Sequence, residues 1–107
     1  MQNYVYANPD LFSLTINLKP ISMKVLFGLV LTIMRYNDPH NTIVYNRAIA
    51  LNELKSHFDE ETLKKFTSSR FSEGIKDLIK LGILNRTKEG HSTYTYNTNL
   101  LRSATYR

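Results

Sequence analysis

Cysteine and tryptophan are absent from the 107 residues of this chain. Without cysteine there is no disulfide and no thiolate metal ligand, so a packed core must hold the fold. Glycine and proline are scarce, at four and three residues. The glycines at positions 28, 74, 82 and 90 never cluster, which leaves no phosphate-cradling loop and no sequence support for nucleotide hydrolysis. His40, His57 and His91 are scattered, with no His-x-His or His-x-x-x-His pair, so neither a zinc site nor the metal cradle of a rolling-circle nickase is expected. The longest apolar run, Ile21 to Met34, has 14 residues and contains Lys24, Gly28 and Thr32, short of the roughly 18 to 20 that cross a bilayer. No cationic start followed by a cleavable apolar run opens the chain, and a cytoplasmic location is the expectation. No internal repeat, low-complexity tract or glycine-serine linker divides the sequence. The expected organisation is one domain over residues 1–107, with 1–19 as an N-terminal segment and 20–101 as its core.

What is present is a lopsided charge. The net charge is +5, but up to Glu61 five Lys or Arg face six acids, whereas from Thr62 onward nine face three, giving balances of −1 and +6. A surface that is merely solvated has no reason to gather its cations in one half, and a basic half is the footprint of a polyanion partner.

That basic half has a readable order. Phe71, Ile75, Leu78 and Ile79 recur at i, i+4, i+7 and i+8 and predict a helix with one apolar stripe. Ser68, Ser69, Arg70, Ser72, Glu73, Lys76 and Lys80 fall outside the stripe, as donors and cations that a recognition helix would present to a DNA groove. Thr67, Ser68 and Ser69 are each suitable as its cap. Gly82, after a basic last turn, is placed to stop it. Ile83 to Thr87 and Ser92 to Tyr96 are rich in strand formers around Lys88-Glu89-Gly90-His91, predicting a hairpin with Arg86, Lys88 and His91 near its tip. Tyr94 and Tyr96 share a strand face and are expected to pack.

Upstream, Thr42 to Tyr45 predicts a short strand able to pair with that hairpin, and Asn46 to Phe58 a first helix carrying Ile49, Leu51, Leu54 and Phe58. Asp59 is placed to cap a short helical turn that sends Leu63 and Phe66 to the core. Asn8-Pro9-Asp10 and the stretch from Asn37 to Asn41 read as loops. Ile21 to Met34 is apolar on nearly every face, so something must cover the second one: the N-terminal segment from Leu11 to Ile16, or the same helix of another copy, which makes a homodimer the expected state. The acidic run Asp59-Glu60-Glu61 points in three directions on a helix and reads as a solvated helix start. No enzyme activity, metal or cofactor is expected. The fold class expected is α+β, mainly helical: a winged helix-turn-helix of three or four helices with a small antiparallel sheet and a β-hairpin wing.

Lys24-Val25-Leu26 in a helix entering at Ser22, Tyr36-Asn37 with Asn41-Thr42-Ile43-Val44, Ile79-Lys80-Leu81-Gly82-Ile83-Leu84, and Tyr94-Thr95-Tyr96-Asn97 with Leu100-Leu101 together resemble the RepL family of plasmid replication proteins. The likeness runs from about Leu11 to Leu101. It implies an initiator that binds a plasmid or phage origin as a winged helix and recruits host replication proteins, without nicking. Double-stranded DNA is the expected partner, with Ser69, Arg70, Glu73 and Lys76 nearest the bases and Arg86, Lys88 and His91 on phosphates or the minor groove. A winged-helix transcriptional repressor and a non-enzymatic protein-interaction module use the same residue pattern and stand as alternatives.

Overall fold

The structure, a computed structural model, describes residues 2–36, 41–88 and 90–106. Its elements run β1 (Gln2–Ala7), α1 (Pro9–Thr15), α2 (Pro20–Tyr36), β2 (Thr42–Val44), α3 (Arg47–Leu54), α4 (Glu60–Lys64), α5 (Ser68–Lys80), β3 (Leu84–Arg86), β4 (Thr93–Tyr96) and β5 (Leu101–Tyr106). The chain is α+β, with five helices among the described residues where three or four were expected; the additional ones are the short α1 and α4. The expected loop from Asn37 to His40, and Glu89 of the hairpin turn, lie outside the described residues.

Local chemistry explains most helix ends. Asn8, Asn46, Asp59 and Thr67 each turn a side-chain oxygen onto a backbone N–H that the first helical turn leaves unpaired. Of the three caps considered for α5, Thr67 fills the position, accepting from Arg70 N–H at 3.3 Å. Asp59 does cap the short α4, and its hydrogen bonds from Thr62 hold its carboxyl below the usual value. Helix α5 ends at Gly82, whose φ of 77° is a left-handed conformation that only glycine adopts without cost. Gly82 N–H then donates to Ile79 C=O at 3.0 Å and Ile83 N–H to Leu78 C=O at 2.9 Å, the paired bonds that close a helix, and both Ile83 and Leu78 are buried.

Two separate antiparallel sheets form. In the first, β2, β4 and β3 lie in that order, with Ile43 opposite Tyr94 and Leu84 opposite Tyr96. All four of those side chains are buried, because residues on one face of a strand alternate with exposed ones. In the second, β1 pairs with β5 along their whole length, from Gln2 opposite Tyr106 to Ala7 opposite Leu101. This pairing of the chain ends was not expected from the sequence, and it supplies the cover for α2. That helix packs on α3 and α5 and also on β1 and β5, and Val25, Leu26, Leu29 and Ile33 are buried. The same chain thus covers part of the second apolar face, while Phe12, Ile16 and Met23 stay exposed. The segment 1–19 is not separate from the core, since Leu11 sits in the same apolar cluster as Leu101, Tyr45 and Leu78.

The tightest packing is where α2 crosses α5. A Cβ on Gly74 would collide with Val25 Cγ2, and one on Gly28 would lie 2.5 Å from Tyr45 Oη. Tyr45 is fully buried and its hydroxyl donates to Val25 C=O at 2.6 Å, so the residue after β2 is bound to α2 at that crossing. Burial raises the Tyr45 phenol well above its ordinary pKa of 10.0, with a smaller push from Glu53.

Two stability measurements follow from this crossing. Gly74→Ala should destabilise by about 1 to 3 kcal/mol in urea unfolding, because overpacking outweighs the gain of roughly 1 kcal/mol that alanine brings to a helix interior. An equal or higher midpoint would show that the helices separate freely. Tyr45→Phe should cost about 1 kcal/mol at neutral pH through the lost hydrogen bond. The wild-type stabilisation is complete below pH 10.0 and is lost as pH rises through the raised folded-state pKa. The variant's unfolding curve should accordingly be flatter with pH above that point.

Candidate nucleic-acid interface

Helix α5 buries Phe71, Gly74, Ile75 and Leu78, with Asp77 and Ile79 half-buried beside them. Ser68, Ser69, Arg70, Ser72, Glu73, Lys76 and Lys80 are all exposed, as are Arg86, Lys88 and His91 of the β3–β4 hairpin. Exposure alone does not make a site, and the neighbours divide these residues into separate groups.

One group meets at a groove. Ser68 and Ser72 on α5, and Arg86 and His91 on the hairpin, line a cavity of about 270 Å³ together with Arg47 and Ser92. Its apolar floor includes Tyr45, Phe71, Ile75 and Tyr94. No described residue that lines it is acidic. The hairpin that forms one wall is held on both sides. Tyr45 N–H donates to Ser92 C=O at 2.8 Å, Thr87 Oγ1 donates to Thr93 C=O at 3.1 Å, and Tyr94 Oη donates to His91 C=O at 3.3 Å. The guanidinium of Arg86 lies over the Tyr94 ring, 5.8 Å from its centroid, a position that cation–π attraction favours.

A second group lies on the opposite flank of α5, beside the start of α2. Lys19 Nζ reaches Glu73 at 3.3 Å and Asp77 at 3.6 Å, and Ser22 Oγ donates to Asp77 Oδ2 at 2.6 Å. The hydrogen bond to Glu73 raises the Lys19 ammonium above its ordinary value. Glu73 is thus engaged away from the hairpin, and Lys80 lines a groove with Lys19 and Asp77 on that same flank. Arg70 is separate again. Its Nη1 donates to Lys65 C=O at 3.1 Å, which ties it to the end of α4. Ser69 and Lys76 remain on the outward face between these flanks. Lys88 is exposed on the hairpin but does not line the groove.

Arg47 is the functional candidate that sequence inspection missed. It is the first residue of α3, and its Nε donates to Phe66 C=O at 2.8 Å. It meets Arg86 only through the tertiary fold, and nothing in its local spacing marks it. His57 stands apart, packed edge-on against Phe27 with centroids 5.1 Å apart, and His40 lies outside the described residues. Among the described residues no group of three or more His, Cys, Asp or Glu is placed to hold a metal ion, and no helix is long and apolar enough to cross a membrane. Comparison with known protein families, curated proteins and solved structures finds no match for this chain.

The cap that begins α5 also positions Ser68 and Ser72 at the groove. Thr67→Ala should lower stability by about 1 kcal/mol, whereas Thr67→Ser should remain within a few tenths of the parent. Equal losses for the two in urea unfolding would mean that the Thr67 methyl, and not its hydroxyl, matters.

Proposed function

We propose that this protein binds double-stranded DNA in the manner of a winged helix-turn-helix, with α5 as the recognition helix and the β3–β4 hairpin as the wing. The observation that carries this reading is the groove shared by Ser68, Ser72, Arg47, Arg86 and His91, which has no described carboxylate in its lining. Beside it runs an outward helix face bearing Ser69 and Lys76. An α-helix fits the major groove of B-DNA, and a neighbouring cationic hairpin is placed to meet the backbone on the same side. The concentration of positive charge from Thr62 onward, +6 against −1 for the residues before it, supplies the long-range attraction that brings a polyanion to this face.

Within that reading, Ser69, Ser72 and Lys76 are the residues placed to touch base edges. Arg70 moves from the centre of the expected base-reading set to its edge, because its guanidinium is directed to the Lys65 carbonyl. Glu73 is drawn to Lys19 and so serves to hold the start of α2 against α5. The resemblance to RepL proteins makes initiation of plasmid or phage replication, with recruitment of host replication proteins, the leading biological role. A transcriptional repressor would use the same groove chemistry, and an assay of origin copy number in cells separates the two. A winged helix that instead docks on an acidic protein is the third alternative, and duplex binding distinguishes it.

The test is fluorescence anisotropy of a labelled random duplex of ~20 to 30 base pairs across a salt series, since backbone binding needs no knowledge of the target and its slope counts the phosphates contacted. Micromolar affinity that falls steeply with salt is expected. Lys88→Ala should weaken all sequences alike and reduce the slope by about one. No binding at low salt would exclude the initiator and the repressor together and leave the acidic protein partner.

A further inference from the structure

We propose that the pocket between the β3–β4 hairpin and the starts of α3 and α5 binds one phosphoryl oxyanion, supplied by the backbone of the bound duplex. Assigning the phosphate to DNA rests on the function proposed above; the chemistry of the pocket does not.

Two guanidinium groups share this pocket, and no described lining residue is a carboxylate that would neutralise them. Other grooves of the surface differ in this respect. The one between α3 and α4, which Arg47 also borders, includes Glu60 beside Lys55 and Lys64, and the one between the ends of α2 and α3 includes Glu53, which Arg35 grips through two hydrogen bonds. Two like charges facing one cavity repel each other, and an anion between them converts that repulsion into two attractions.

Both cations are also held in place. The bond from Arg47 Nε to the Phe66 carbonyl fixes the plane of that guanidinium while leaving its terminal nitrogens with no other hydrogen bond among the described residues. Arg86 is laid against the buried Tyr94 ring. Arginine presents a planar fork that matches two phosphate oxygens, so a fixed guanidinium loses little freedom when it binds one. Hydroxyls from Ser68, Ser72 and Ser92 line the same space and have no side-chain partner among the described residues, which supplies donors for further oxygens. Tyr45, Phe71 and Ile75 form apolar walls, and displacing water from such a surface strengthens charge-assisted bonds.

Size restricts the ligand further. At about 270 Å³, the cavity lies just under the range of roughly 300 to 1,000 Å³ in which organic ligands are enclosed. A single tetrahedral oxyanion with some of its water fits that space. Seated there, one backbone phosphate would set the depth and rotation of α5 in the major groove, because the pocket is walled by that helix and by the wing at once.

The experiment uses the ¹⁵N-labelled full chain, titrated with sodium phosphate and, separately, with sodium chloride at matched ionic strength. Phosphate should shift the amide signals of Ser68, Ser72, Arg86 and Ser92 saturably, and chloride should not. Arg47→Gln and Arg86→Gln should each weaken phosphate by about tenfold. The Arg86 side chain donates no hydrogen bond among the described residues, so its variant remains informative if Arg47→Gln loosens Phe66. Equal shifts from phosphate and chloride, or full affinity in Arg86→Gln, would overturn the proposal even if duplex binds the protein through α5. Adding the random duplex to the phosphate-loaded protein then identifies the source. Displacement of phosphate from the pocket places a DNA phosphate there. Phosphate binding without any duplex binding leaves the pocket standing, removes the DNA assignment and points to a free phosphorylated ligand.

Discussion

The close approach of α2 and α5 at Val25 and Gly74 is the constraint on which the rest of this structure depends. Glycine at position 74 leaves room for both methyl groups of Val25, and at position 28 the same device admits the hydroxyl of Tyr45. Tyr45 follows β2 directly and is bonded to the Val25 carbonyl, so one point on α2 sets the positions of both the recognition-helix candidate and the central sheet. The sheet carries the hairpin, through Ile43 opposite Tyr94 and Leu84 opposite Tyr96. The groove between hairpin and α5 is consequently defined by contacts made on the far side of α5, in the dry core, where packing is least tolerant of change.

Electrostatics then gives the two flanks of α5 different characters. On the α2 side, Lys19, Glu73, Asp77 and Ser22 satisfy one another. Such exposed pairs are screened by water and contribute little to stability, so their larger consequence is that two carboxylates are occupied there and do not oppose the cations across the helix. On the hairpin side Arg47 and Arg86 line a groove with no carboxylate among its described residues. Arg47 also bonds the Phe66 carbonyl and Arg86 lies over the Tyr94 ring, so both hold the groove walls as well as lining it. The Arg35–Glu53 pair illustrates the contrast. Glu53 is only 8% exposed and its carboxylate is gripped by two bonds at 2.6 and 3.1 Å, which straps the end of α2 to α3 and uses the charges entirely within the fold.

Much of the middle of the molecule was legible before any coordinates. The stripe of Phe71, Ile75 and Leu78 identified α5, Gly82 its end, and the β-branched and aromatic runs the three strands of the central sheet, because all three signals are local and depend on geometry within a few residues. Asp59 and Asn46 were legible as caps or helix starts for the same reason. The β1–β5 pairing was not. Its strands lie nearly a hundred residues apart and each alternates only weakly, so nothing local tells one from a loose terminus. Without that ribbon, the covers considered for α2 were only the Leu11 to Ile16 segment and another copy. The candidate site was read with similar unevenness: Ser68, Ser72, Arg86 and His91 do share a groove, but Glu73, Lys80 and Arg70 turned out to face other neighbours, and Arg47 carried no mark at all.

The sequence by itself determined that α2, α3 and α5 become helices and β2, β3 and β4 strands, that α5 stops at Gly82, and that the positive charge gathers from Thr62 onward. These follow from residue spacing, capping chemistry and composition, which act over a few bonds or simply add up. Only the tertiary structure decided that the chain ends join to cover α2, and that Lys19 occupies Glu73 and Asp77. Only it brought Arg47 and Arg86, 39 positions apart in the sequence, into one pocket free of described acids. Those outcomes depend on which faces of distant elements come into register, and that is set by close packing at the α2–α5 crossing, where a single glycine determines how near two helices can lie.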